Sequence, residues 1–275
     1  MIQNRPIGVF DSGYGGLTVL CRLRASMPQY DYVYFGDNAR TPYGTRSFEI
    51  VRKLTDESVF ALFNLNCPLV VLACNTASAK ALRSFQEKEL PNSCDPTRRV
   101  LGVIRPTVEA LGSMTQSRHV GILGTVGTVT SRSYDLETAK LFPDITVVSE
   151  ACPMWVPLVE SNEYASDGAD YFVRQHLNRL LTRDPLIDVI VLACTHYPLL
   201  EPKIRTFLPD GIKLLSQGDI VAASLKDYLL RHPEMEIRLT KNGLCNIFTS
   251  EDVKTFSNTA SVFLSDDMKV QHLDI

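Results

Sequence analysis

The sequence predicts an α/β fold made of two pseudo-symmetric parallel-sheet domains that face each other across a cleft. Short apolar runs alternate with amphipathic segments, and near-continuous apolar strands are typical of parallel sheets covered on both faces. Two of the runs look alike, VVLACNTASA at 70–79 and IVLACTHYPL at 190–199. Because this repeat is far too long for a solenoid unit, it indicates two related halves, one up to about residue 98 and one over 99–211.

Eight strands follow from the short apolar runs, which are bounded by polar or turn-forming residues. The carboxyl ends of parallel strands are where open α/β sheets bind their ligands. The polar residues that follow the strands are therefore the first candidates for a site. The predicted strands span 7–11, 31–37, 68–74, 99–104, 119–125, 145–152, 188–194 and 212–219.

Two helices have clear sequence limits. Apolar residues at helical spacing predict a helix over 47–63, with Ser47 as its N-cap. A second helix is expected from about 76 to 90, where Pro91 ends it.

The last part of the chain predicts a hairpin followed by a helix. The segment 236–248 alternates on both sides of Asn242 and Gly243, a strong two-residue turn signal. Thr249 and Asp252 then resemble a capping box. We expect this tail to be an antiparallel addition to the α/β body.

Composition indicates an ordinary soluble protein. The 275 residues are 45% hydrophobic and 21% charged with a net charge of −3, so the basic surface of a nucleic-acid-binding protein is not expected. No signal peptide and no apolar stretch long enough for a membrane span are present, which predicts a cytoplasmic protein. The seven cysteines lack metal-ligand or disulfide spacing, so free thiols and no metal site are expected.

Cys74 and Cys194 end the two look-alike strands, and each precedes a polar cluster, NTAS or THYP. A free cysteine is often a buried packing residue, and a cysteine beside a histidine also suits acyl transfer. Two symmetric thiols suit a different reaction, inversion of a carbon stereocentre, which needs a base on one face and an acid on the other. A free thiol with a pKa of about 8.5 is only about 3% thiolate at neutral pH. His196 is therefore a candidate for stabilising the thiolate.

The first strand ends in a glycine-rich turn, DSGYGG, at 11–16. Its glycines permit close backbone approach. The spacing fits neither the dinucleotide-binding pattern G-x-G-x-x-G nor the Walker pattern, so a dinucleotide is not implied. Asp11 and Ser12 are suited to binding the ammonium and the carboxylate of a small substrate, while a purely structural turn is the alternative. After the second strand, the backbone N–H groups of Tyr43 and Gly44 are candidate donors to a carboxylate.

Six motifs in order resemble those of the cofactor-independent glutamate racemases in the aspartate/glutamate racemase family. They are GVFDSGYGGLTVL, YFGDNARTPYG, LACNTASA, GILGTVGTVTSRSY, ACPMWVPLVE and VLACTHYPLL. The resemblance implies an isomerase that needs no pyridoxal phosphate or other cofactor and supplies D-glutamate for peptidoglycan synthesis, cell wall biogenesis and cell shape. It implies two domains, with 212–275 returning to 1–98 and the active site in the cleft. A homodimer is common among such proteins.

The resemblance also implies roles for particular residues. Cys74 and Cys194 are the paired proton donor and acceptor, assisted by Asp11 and His196, with Glu160 as a third ionisable neighbour. The implied substrate-binding residues are Asp11, Ser12, Tyr43, Gly44, Asn75, Thr76, Thr128, Thr195 and His196.

Three residues depart from the pattern of that family. Arg105 stands where Glu is frequent, Asn38 where Thr or Ser is usual, and Tyr14 where Val is frequent. A solvated surface position is favoured for Arg105. Two other functions stay open, an aspartate racemase or related small-acid enzyme of the same family, and a non-catalytic amino-acid-binding regulatory protein.

Overall fold

The computed structural model describes residues 5–263 and 269–275, and its strands form two sheets in which every ladder is parallel. The strands are β1 Ile7–Asp11, β2 Tyr32–Gly36, β3 Leu69–Leu72, β4 Arg99–Gly102, β5 His119–Gly124, β6 Thr146–Ala151, β7 Val189–Ala193, β8 Lys213–Leu215, β9 Cys245–Thr249 and β10 Val270–His272. All eight strands expected from the sequence are confirmed, with ends that differ by a few residues.

The helices connect these strands in α/β order. They are α1 Leu17–Ser26, α2 Phe48–Asn64, α3 Asn75–Lys80, α4 Leu82–Ser84, α5 Ile104–Met114, α6 Val126–Ser131, α7 Ser133–Leu141, α8 Trp155–Glu160, α9 Asp167–Arg183, α10 Glu201–Phe207, α11 Gly218–Arg231, α12 Pro233–Glu236 and α13 Val253–Ala260. None of the helices in these described ranges is long and apolar enough to cross a membrane.

The predicted pseudo-symmetry is present in the strand order. The first sheet has the order β10-β9-β2-β1-β3-β4 and the second β6-β5-β7-β8, so β2-β1-β3-β4 matches β6-β5-β7-β8 strand for strand. Cys74 follows β3 and Cys194 follows β7, which are equivalent strands in the two sheets. The resemblance between the two cysteine motifs therefore reflects equivalent places in the fold.

Both faces of each sheet are covered, as the continuous apolar strands predict. In β1, Ile7 and Val9 join one apolar cluster and Phe10 joins another on the opposite face, because side chains alternate along a strand. The second sheet is packed between two further clusters in the same way. Because both faces of each sheet are buried, the ends of the strands are where polar residues can reach a ligand.

The sheet to which each strand belongs suggests where the chain passes from one domain to the other. Arg99–Gly102 pairs with β3 in the first sheet, and Lys213–Leu215 pairs with β7 in the second. Both strands lie on the other side of the expected limits at 98 and 211. We propose that the chain crosses between domains after each of these strands, because a strand belongs to the sheet with which it shares hydrogen bonds.

The helix limits agree with the sequence in one case and differ in the other. Ser47 caps α2, accepting a hydrogen bond from Ile50 N. The helix expected over 76–90 is instead a broken run of α3, α4 and a π turn at Phe85–Glu89, with the break at Ala81.

The expected hairpin at the end of the chain is wrong. β9 pairs with β2 in parallel, and β10 pairs with β9 in parallel. Asp31 explains the difference, because its carboxylate accepts hydrogen bonds from the backbone N–H groups of Asn242 and Leu244 and from the Asn242 side chain. The turn is therefore bound to the start of β2 and directs the chain into the first sheet. The following helix α13 is present, but the capping box expected from Thr249 is wrong, because the N-cap is Asp252, whose carboxylate accepts a hydrogen bond from Thr255 N.

Candidate active site

A cavity of about 410 Å³ lies at the carboxyl ends of both sheets. Its wall is formed by residues that follow β1, β2 and β3 of the first sheet and β5, β6 and β7 of the second. Both thiols of the look-alike motifs lie on its wall. The lining residues are Ser12, Thr41, Pro42, Tyr43, Gly44, Thr45, Cys74, Asn75, Thr76, Thr125, Val126, Cys152, Pro153, Val156, Pro157, Glu160, Ser161, Cys194, Thr195 and His196.

Cys74 is the N-cap residue of α3, and the residue is 5% exposed. Its Sγ donates to Ser12 Oγ at 3.5 Å and accepts from Ala77 N at 3.5 Å. Burial raises the pKa of the Cys74 thiol to about 12, the charge of Asp11 adds to the rise, and the bonds with Ser12 and Ala77 oppose it. Cys74 therefore holds its proton at neutral pH.

Cys194 has a different neighbour, a histidine. Its Sγ lies 3.8 Å from His196 Nδ1, and His196 Nε2 lies 3.0 Å from Glu160 Oε1. Burial alone lowers the pKa of an imidazole, but the hydrogen bonds to Cys194 and Glu160 outweigh it and raise the pKa of His196 to about 10. An imidazolium between a thiol and a carboxylate favours the thiolate form of that thiol.

Asp11 lies behind the cavity wall and is fully buried. Its carboxylate accepts hydrogen bonds from Gly13 N at 3.1 Å and from Thr195 Oγ1 at 3.3 Å. Burial raises the pKa of Asp11, and the charge of His196 is the largest opposing influence. The residue thus connects the first turn to the cysteine motif of the second sheet.

Three threonine hydroxyls join the two halves of the site. Thr76 Oγ1 lies 2.9 Å from Thr125 Oγ1 and 3.5 Å from Thr128 Oγ1, and the latter two are 3.1 Å apart. Thr125 lines the cavity, whereas Thr128 lies outside its lining and is buried. The cluster therefore presents hydroxyls from both sheets to one ligand space.

Most of the sequence-predicted residues meet at this cavity. Asp11 and Thr128 do not line it and contact residues that do. Tyr43 lines the cavity, while its phenol donates to Asp37 Oδ2 at 2.5 Å, so the hydroxyl is already engaged and the backbone N–H stays the predicted donor. Thr125 was missed by the sequence reasoning, because the predicted strand 119–125 included it, whereas β5 ends at Gly124 and Thr125 is the first residue after it.

The three departures from the family pattern have structural partners. Arg105 is on the surface, as expected, and pairs with Glu109 and Glu137 at 3.0 and 2.9 Å. Tyr14 stacks on Phe256 of α13 with ring centroids 5.1 Å apart. The buried Asn38 accepts a hydrogen bond from Thr249 in β9. The latter two residues therefore attach the last part of the chain to the first sheet.

A larger cleft of about 1040 Å³ lies elsewhere, next to α1, α10 and α11. Neither Cys74 nor Cys194 lines it, so its volume does not make it the better candidate. Across residues 5–263 and 269–275, no group of three His, Cys, Asp or Glu side chains is arranged to hold a metal ion.

We expect Gly15→Ala to lower kcat/KM by about 10²-fold, because small displacements of reacting groups have costs of that order. A Cβ at Gly15 would overlap Thr195 Oγ1 and lie 2.5 Å from His196 Nδ1. Gly168→Ala is the matched control, because a Cβ there meets only Ser166 Oγ, at 3.4 Å. Steady-state kinetics on both variants test this, and unchanged activity in Gly15→Ala would show that the close packing has no role.

The raised pKa of His196 predicts a pH-dependent contribution to stability. Because its folded pKa of about 10 exceeds the unfolded value of about 6.5, the stabilisation is complete below about pH 6.5 and is lost as pH rises through about 10. We expect Glu160→Gln to lower Tm by about 2–4 °C at pH 7 and by much less at pH 10.5.

Thermal unfolding over that pH range is the measurement. Glu234→Gln is the matched control, since Glu234 pairs with the more exposed His232 at 3.0 Å. A deficit in Glu160→Gln that stays constant from pH 7 to 10.5 would contradict the assignment of the imidazolium.

The chain matches known proteins along nearly its whole length. The family model for Asp/Glu/hydantoin racemases matches residues 19–225. A glutamate racemase from Ruegeria pomeroyi is 38% identical over 94% of this chain and 96% of its own length. One from Bacillus cereus is 43% identical over 86% of this chain and 84% of its own length.

Solved structures give the same result. A glutamate racemase isoform from Bacillus anthracis has a TM-score of 0.89 and 33% identity, covering 99% of this chain and 98% of that protein. A glutamate racemase from Francisella tularensis, solved in complex with D-glutamate, has a TM-score of 0.85 and 31% identity, covering 100% of this chain and 98% of that protein. The two-domain arrangement of parallel sheets is therefore shared with both.

Proposed function

The chain belongs to the Asp/Glu/hydantoin racemase family, and from that premise we propose that it interconverts L- and D-glutamate by proton transfer between the α-carbon and two thiols, Cys74 and Cys194. The observation that carries this proposal is that both thiols follow equivalent strands of the two sheets and line one cavity. The relatives that match nearly the whole chain are glutamate racemases, which supports glutamate as substrate.

The two thiols have different surroundings. Cys194 lies beside the His196 imidazolium, and in the proposed step its sulfur is the base that takes the α-proton from one face, so a C–H bond breaks and an S–H bond forms. The electron pair left on the α-carbon spreads into the substrate carboxylate. Cys74, whose pKa of about 12 keeps its proton in place, donates that proton to the other face. The reverse reaction exchanges the two roles.

The remaining cavity residues bind and orient the substrate. Hydroxyls of Ser12, Thr76 and Thr125 are donors for the carboxylates of the substrate. These hydrogen bonds strengthen as negative charge builds up on the carboxylate next to the forming carbanion. The enclosed position of the thiols excludes water, which strengthens these charge interactions. Orientation by several fixed donors keeps the α-carbon between the two sulfurs.

A racemisation assay with purified protein and no added cofactor tests the function. We expect optical rotation of L-glutamate to fall to zero and that of D-glutamate to do the same. Activity confined to aspartate would instead identify an aspartate racemase, and binding without turnover would identify an amino-acid-binding protein.

We also propose that the protein is a cytoplasmic homodimer whose D-glutamate enters peptidoglycan. The family resemblance supports the dimer and the role in peptidoglycan synthesis. Sedimentation at micromolar concentration tests the assembly, and a mass of one chain would contradict the dimer. Depletion in the cell tests the role, because loss of cell shape that added D-glutamate reverses is the expected result.

A further inference from the structure

The carboxamide of Asn75, the residue after Cys74, is held in a closed ring with two other side chains. Tyr134 Oη donates to Asn75 Oδ1 at 2.7 Å, Asn75 Nδ2 donates to Gln217 Oε1 at 2.6 Å, and Gln217 Nε2 donates to Tyr134 Oη at 2.8 Å. All three residues are buried, so each hydrogen bond is made away from competing water.

A fourth residue, Thr107, fixes the orientation of the ring. Its hydroxyl donates to the backbone carbonyl of Val103 at 2.7 Å, so towards Gln217 it can only accept, which it does from Nε2 at 2.8 Å. This bond fixes the orientation of the Gln217 amide. The Gln217 amide in turn fixes the orientation of the Asn75 amide, because a flipped Asn75 would place its oxygen against Gln217 Oε1.

Tyr134 reinforces the same orientation. Burial raises the pKa of its phenol, so the hydroxyl keeps its proton and continues to donate to Asn75 Oδ1. Thr107 lies on α5, Tyr134 on α7, and Gln217 directly before α11, so three separate elements converge on one carboxamide.

This arrangement leaves one hydrogen of Asn75 Nδ2 unused by the ring. A side-chain amide has two N–H donors, and Gln217 accepts only one of them. Asn75 lines the cavity beside Cys74, while Tyr134, Gln217 and Thr107 do not. The ring therefore determines which atom of the carboxamide is available to a ligand.

We propose that Thr107, Tyr134 and Gln217 are positioning residues that orient Asn75 so that its second N–H binds a carboxylate of the substrate. The inference rests on the proposed racemisation of glutamate and deepens it. These three residues act through Asn75 and do not touch the substrate. Their contribution is to substrate binding and not to proton transfer, which distinguishes them from the thiols.

Tyr134→Phe is the first test, because it removes the hydroxyl and keeps the aromatic side chain. We expect KM to rise about 10-fold for both L- and D-glutamate with kcat within twofold of wild type, since an interaction made equally in the ground and transition states affects KM alone. Because the enantiomers have equal free energy, kcat/KM must fall by the same factor in both directions. Thr107→Val, which keeps the shape and removes the hydroxyl, should change KM in the same direction and serves if Tyr134→Phe does not fold.

Tyr32→Phe is the matched control. The Tyr32 phenol is equally buried and donates to the backbone carbonyls of Leu23 and Met27, away from the cavity. It should lower Tm without changing KM, so a merely structural role of Tyr134 would reproduce the behaviour of Tyr32→Phe.

A double-mutant cycle separates positioning from an independent effect. In Asn75→Ala, the further change Tyr134→Phe should alter KM by less than twofold, because the group that Tyr134 orients is gone. An additive, roughly 10-fold further rise would overturn the inference, and so would an unchanged KM in Tyr134→Phe alone. Wild-type protein that does not racemise glutamate would instead refute the proposed function.

Discussion

Replacement of either Cys74 or Cys194 by alanine is expected to lower kcat/KM for glutamate by at least about 10³-fold in both directions. A positioned acid or base contributes about 10²- to 10⁴-fold, and racemisation needs one on each face of the α-carbon. With Cys74 absent, the carbanion receives no proton on one face, and with Cys194 absent no base is available on the other. Circular dichroism of glutamate solutions measures both directions.

The control for these variants is Cys67→Ala. Cys67 is a fully buried thiol in an apolar cluster of the first sheet and does not line the cavity. We expect it to lose stability and to keep kcat within threefold. Near-normal racemisation by Cys74→Ala or Cys194→Ala would show that one thiol alone suffices.

The second large effect is expected for His196→Asn, which should lower kcat/KM by about 10²-fold. The imidazolium at 3.8 Å from Cys194 Sγ favours the thiolate, and an amide supplies no positive charge in its place. The pH–rate profile should also change, because the positive charge that His196 carries up to a pH of about 10, its raised pKa, is absent from the variant. Initial rates from pH 6 to 10.5 give both quantities.

His119→Asn is the matched control for this change. His119 also pairs with a carboxylate, Asp184, at 2.7 Å, but lies at the start of β5 and away from the cavity. Its pH–rate profile should superimpose on that of wild type. An unshifted profile in His196→Asn would remove the imidazolium from the account.

The body of the fold was predictable because it is encoded locally. Each parallel strand is buried on both faces, so its apolar run is visible in the sequence without knowledge of its partners. The cysteine motifs revealed the repeat in the same way, since equivalent strands end in equivalent sequences. His196 was a candidate because it lies two residues after Cys194 in the chain.

What the sequence did not predict depends on distant partners. Asn242 and Gly243 carry a strong local hairpin signal, but the Asp31 carboxylate binds that turn and β9 pairs in parallel. The hydrogen-bonded ring around Asn75 includes Tyr134, which is 59 positions away along the chain, and Gln217, which is 142 positions away. No local pattern marks either residue as a partner of Asn75. Such contacts are seen only in the folded structure, where the two sheets and their helices bring these residues together.

The most direct test of two thiols acting on opposite faces is the hydrogen isotope at the α-carbon during early turnover in heavy water. Starting from unlabelled L-glutamate, we expect the first D-glutamate formed to carry deuterium at Cα, because its proton comes from a thiol equilibrated with solvent, while remaining L-glutamate stays unlabelled. Mass spectrometry of the separated enantiomers gives both values. D-glutamate that retains the original hydrogen would show that one group both removes and returns the proton, which would contradict the two-thiol mechanism.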